Sequence, residues 1–131
     1  MRVRLAAVRA STDRLPLAVA IDTAVVVAFV AIGRRDHGED PGIAGLAGTA
    51  APFLVGLLVA WLVAGRRGEP TAIRTGLIVW PITVVVGLLG RRVVGEGTAL
   101  AFVLVATCFL GATLLGWRAI ASLVERRRRP A

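Results

Sequence analysis

Asp22 is the only formal charge inside an otherwise apolar stretch that runs from Leu15 to Gly33. A carboxylate in such a setting can titrate with a proton or hold a substrate, or it can be one half of an ion pair. In either role desolvation obliges it to face a partner rather than lipid. Arg74 and Arg118, beside the third and fourth apolar runs, could reach down to it. Trp80 lies about as deep in its own run as Asp22 does in the first. It is followed by Pro81, which frees a backbone carbonyl near Thr83.

A second constellation is "GRRDHGE", Gly33 to Glu39, which sets Arg34 and Arg35 beside His37, with Asp36, Glu39 and Asp40 around the histidine. Imidazole and carboxylates suit a divalent cation, but a water-facing polar loop has the same composition, so neither a metal nor a cofactor is expected. The frame returns as "GRRVVGE", Gly90 to Glu96, 57 positions on. Arginine forks can grip an anion bidentately. Yet Gly-Arg-Arg also occurs at Gly65, and each copy stands where an apolar run stops. There glycine ends a helix, while arginine suits the negative end of the helix dipole and the headgroups, so anchoring explains the pairs without a ligand. Cys108 is alone and reads as a small buried apolar residue. No nucleophile stands beside a base in the helices, and the chain is not expected to be an enzyme.

The elements that must position these residues follow from composition. Apolar residues make up 56% of the 131, and a mean hydropathy of +0.78 exceeds what a soluble core requires. Four nearly uncharged runs stand out: Leu15 to Gly33, Ile43 to Gly65, Thr75 to Gly90 and Gly97 to Trp117. About 20 helical residues cross the roughly 30 Å hydrocarbon layer. The third run reaches that length only by continuing past Arg91 and Arg92, with their stems snorkelling outward. The expected fold is an all-α membrane protein of four transmembrane helices, at about 15–33, 43–65, 73–94 and 97–118, between basic tails 1–14 and 119–131.

The strongly basic balance, pI near 11.8, raises nucleic acid as a partner. Its placement argues against that. With four spans, 12 arginines fall on the side of the termini and only Arg34, Arg35, Arg91 and Arg92 on the other. That is the positive-inside pattern, and it puts both termini in the cytoplasm of a multi-pass protein of the cell (plasma) membrane. The lipid bilayer is then the first partner, and anionic lipid beside the tails the second.

Both Gly-Arg-Arg frames are followed by Gly-Thr-Ala-x-x-Phe, at Gly48 to Phe53 and Gly97 to Phe102. Each half thus reads helix, loop, helix, which predicts two parallel helical-hairpin repeats. Small residues recur at four-residue spacing: Ala20, Ala24 and Ala28 in the first run; Gly56, Ala60 and Ala64 in the second. Such stripes let helix backbones approach, within one bundle or between copies in a homo-oligomer.

In the order "DTAVVVAFVAIGRRDHGE", "APFLVGLLVAW", "WPITVVVG" and "LLGWR", the chain from Asp22 to Arg118 resembles an uncharacterised prokaryotic integral membrane family, domain of unknown function 3054. The resemblance implies a small four-helix membrane protein and supplies no activity. It makes Asp22, Arg34, Arg35, His37, Gly38, Glu39, Pro52, Trp80, Trp117 and Arg118 the positions to test. Two functions stand. One is a small transporter or channel subunit with Asp22 and Trp80 near its path. The other is a non-transporting accessory protein that holds anionic lipid or a partner on its basic tails.

Overall fold

The computed structural model describes residues 1–36, 42–65 and 68–130. It forms four helices: α1, Arg2–Asp36; α2, Ile43–Ala64; α3, Ile73–Val93; and α4, Leu100–Arg128. There is no strand among the described residues. All four are long and apolar enough to cross a membrane, and the protein is an all-α, multi-pass membrane protein. α3 does run on through Arg91 and Arg92 to Val93. α1 and α4 continue as helix well into the segments read above as tails, while Gly97 to Ala99 are coil before α4 begins.

Each helix packs its backbone against its two neighbours in the ring α1, α2, α3, α4, and long side chains of α2 and α4 reach each other across the diagonal, as Phe53 does Phe102. Short connections make successive helices antiparallel. One end of the bundle therefore carries both termini and the α2–α3 loop; the other carries the α1–α2 and α3–α4 loops. The first is called here the terminal end and the second the loop end.

The α2–α3 seam is the closest, and the small residues explain it. A Cβ added at Gly56 would lie 2.7 Å from the carbonyl oxygen of Thr83, and one at Gly87 would enter the ring of Phe53. Backbone therefore meets backbone at Gly56, and Phe53 fills the notch that Gly87 leaves. Gly56, Ala60 and Ala64 are all buried, whereas Ala20, Ala24 and Ala28 face outward. The α2 stripe is thus spent inside the bundle and the α1 stripe is not. Large apolar side chains such as Leu62, Val85 and Leu104 also point outward, as helices apolar all round must in lipid.

Candidate functional site

At the terminal end, the depth of the apolar runs brings Asp22 of α1 opposite Arg118 of α4, and neither side chain is exposed. Arg118 Nη2 donates to Asp22 Oδ2 at 2.7 Å and Nη1 to Oδ1 at 2.9 Å. This is the two-bond fork that guanidinium and carboxylate form best. The remaining groups are also occupied. Trp117 Nε1 donates to Asp22 Oδ1 at 2.9 Å, while Arg118 Nε donates to the carbonyl of Pro70 at 3.2 Å and Nη1 to that of Leu114 at 3.0 Å. The guanidinium carbon stands 4.4 Å from the Trp117 ring centre and 5.8 Å from that of Trp61.

Local sequence makes this possible. A Cβ at Gly76 of α3 would fall 2.9 Å from Arg118 Cδ, so glycine there admits the arginine stem. Arg74, two residues before Gly76 and so on the opposite side of the same helix, is exposed, and Asp22 is served by Arg118 instead. The cluster is electrically neutral as a whole. With its acceptors filled, it has the chemistry of a clasp between the first and last helices.

The loop end is different. A cavity of about 690 Å³ lies there, with Arg34 of α1 and Arg91 of α3 among its walls and Phe29, Phe53 and Phe102 below them. The three rings pack on one another with centres 5.6 to 6.2 Å apart. Arg34 Nη1 donates to the Thr49 hydroxyl at 2.7 Å. Arg91 Nη1 pairs with Glu96 Oε2 at 2.8 Å and its guanidinium stacks 4.2 Å from the Phe102 ring centre. Both loop-end Gly-Arg-Arg pairs are thereby divided: Arg34 and Arg91 are partly buried against the cavity, while Arg35 and Arg92 are exposed. Anchoring at the membrane edge describes the outer member of each pair, and the inner member has a different neighbourhood.

Trp80 meets neither cluster directly. Its Nε1 donates to the carbonyl of Thr107 at 3.0 Å, and its ring lies on Gly111 of α4. His37 and Glu39, with Gly38 and Asp40, lie outside the described residues, and so does the cation site considered for them. Cys108, read above as buried, is instead exposed on α4, and two further features escape the sequence reading. Glu96 enters there only as the last residue of the repeated frame, and nothing there foresees the phenylalanine floor. The repeated Gly-Thr-Ala-x-x-Phe was the available signal, because its Phe53 and Phe102 meet at the cavity that Arg34 and Arg91 also line.

No curated protein and no solved structure matches the chain. One family profile does, that of "Protein of unknown function (DUF3054)", over residues 19–121. That interval takes in both clusters, the apolar runs of α2, α3 and α4, and that of α1 from residue 19 onward. The chain belongs to this family of proteins of unknown function, DUF3054.

Proposed function

We propose that this chain is a non-transporting, non-enzymatic accessory protein of the plasma membrane, which holds anionic lipid on the basic helical extensions at its terminal end. The observation that carries this reading is the form of those extensions. α1 runs on beyond its apolar span, Asp13–Arg35, and α4 ends in Arg126, Arg127 and Arg128. Arg2, Arg4 and Arg9 are exposed on the first extension. Arg14 stands 3.4 Å from both Glu69 and Glu125, which brings the two extensions and the α2–α3 loop together. Exposed pairs of that kind contribute little stability, but juxtamembrane arginines gain about 1 kcal/mol each beside an anionic leaflet. The charge bias supports cytoplasmic termini.

The occupied Asp22 supports the absence of transport, since a proton carrier needs a carboxylate that can be released. The loop-end cavity is the observation that favours the competing reading of a small transporter or channel subunit. Reconstitution tests the two together. Vesicles containing phosphatidylglycerol should retain lipid on the purified protein, and replacing Arg126 to Arg129 with glutamine should release it, with no proton flux in either case. In cells, Glu96→Cys in a Cys108→Ala background should react with an impermeant thiol reagent and Glu69→Cys should not. Proton flux lost in Asp22→Asn would overturn the accessory reading in favour of the carrier.

A further inference from the structure

The loop-end cavity holds a contact that carries an inference independent of the basic extensions. Arg91 and Glu96 form an unequal pair: the arginine side chain is 14% exposed and the glutamate 43%. Arg91 is fixed, because it sits in the last turn of α3 and lies against Phe102. Glu96 is on the coil that follows Gly95, whose φ of +82° turns the chain back toward the helix end. The backbone of that segment is tied to α3, with the Glu96 N–H donating to the carbonyl of Arg91 at 2.9 Å, the Gly95 N–H to that of Arg92 at 3.2 Å, and Arg91 Nη2 donating to the carbonyl of Gly97 at 3.4 Å, so it is the Glu96 side chain that can turn away. Returning the Glu96 carboxylate to water costs little, whereas Arg91 cannot leave its wall without unstacking from the ring.

The guanidinium also has capacity left over. Its Nε is buried and has no acceptor among the described residues, a state that buried donors rarely keep. Thr49 and Arg34 lie on the facing walls, so a second set of donors looks onto the same space. The volume, about 690 Å³, is far more than a phosphate or carboxylate head needs, and lies within the usual range for ligand pockets. What fills the rest must be apolar, because Phe29, Phe53 and Phe102 line it. The walls include Ala101 and Val105, both exposed on the outer flank of α4, so the cavity communicates with the side of the bundle that faces lipid.

We propose that this cavity binds an anionic amphiphile, a phosphate or carboxylate head on an apolar chain. The head takes the place of the Glu96 carboxylate on Arg91, and the chain lies over the Phe29, Phe53 and Phe102 rings. Glu96 is then a built-in competitor: its carboxylate occupies the position of the missing head and swings to solvent when the ligand arrives from the bilayer.

The test uses the full chain in a neutral maltoside detergent, titrated with dodecyl phosphate, inorganic phosphate or dodecanol, with protein-free micelles as the blank. Dodecyl phosphate should saturate one site per chain and the other two probes should bind far more weakly. Glu96→Gln should tighten dodecyl phosphate about two- to fivefold, the equivalent of one partly exposed ion pair. Arg91→Gln should weaken it roughly tenfold or more, as the loss of a charge-assisted hydrogen bond requires. Phe102→Leu should weaken the dodecyl phosphate and leave inorganic phosphate unchanged. Should Arg91→Gln fail to fold, the Glu96 and Phe102 variants still decide. Equal binding of inorganic phosphate would overturn the amphiphile, leaving a free-anion site. Unchanged or weaker binding in Glu96→Gln would overturn the competitor and the proposal with it.

Discussion

At Asp22 a single substitution distinguishes a clasp from a solvated charge. Asn at this position keeps the shape but sets an amide NH2 against one of the Arg118 amino groups, donor facing donor. The guanidinium stays buried with its partner gone, a situation that costs about 3–5 kcal/mol where it has been measured in other proteins. Asp22→Asn should therefore lower the melting temperature of the purified protein in detergent, and Arg118→Met should do so as well. Because both oxygens of Asp22 go to Arg118, the two losses should not add: the double variant should be more stable than their sum implies, by about 2 kcal/mol or more. Additive losses would mean that the two residues act separately, and an unchanged single variant would mean that the pair holds nothing together.

Among the helices, the glycines make the sharpest comparison. Gly56→Ala presses a methyl group on the backbone of Thr83, and Gly87→Ala presses one into the Phe53 ring. Neither neighbour can give way cheaply, since Thr83 and Phe53 are wholly buried. Each change should cost about 1–3 kcal/mol by overpacking. Gly116 of α4 meets nothing within 4 Å of an added Cβ, so Gly116→Ala should be neutral or stabilising by up to about 1 kcal/mol through helix propensity. Thermal unfolding of the three variants side by side checks this. Equal losses in all three would remove close α2–α3 approach as the cause.

The same helices show where sequence reasoning reaches and where it stops. Four nearly uncharged runs separated by arginines leave no alternative to four helices in lipid, because the bilayer imposes length and internal hydrogen bonding on any span. Asp22 stood out for the same reason. Its choice of Arg118 over Arg74 did not, because both lie near the right depth and only the rotation of α3 and α4 separates them. Rotation is poorly encoded in helices that are apolar on every side. That is also why Ala20, Ala24 and Ala28 could not be told from Gly56, Ala60 and Ala64, and why Arg34 could not be told from its neighbour Arg35. The cavity needed three-dimensional closure: Phe29, Phe53 and Phe102 come from three different helices.

For the molecule as a whole, the clasp joins the first helix to the last, across 96 positions of chain, and that separation becomes an interval of time while the protein is made. At roughly 5–20 residues per second, α1 leaves the ribosome about 5–20 s before Arg118 does. Throughout that interval α1 carries an acid with no arginine to meet it, at a cost of about 3 kcal/mol at mid-bilayer depth. Synthesis thus contains a period of vulnerability that only the final helix closes, and quality-control proteases can read it. A chain stopped after residue 99 should be cleared quickly. Asp22→Leu should lengthen the half-life of that fragment in pulse-chase and shorten the half-life of the full-length protein, where it strands Arg118. An effect of the same sign on both would show that the acid is not what marks the unfinished chain. If the signs are opposite, Asp22 serves as a completeness check, a residue tolerated in the membrane only once the last helix has arrived.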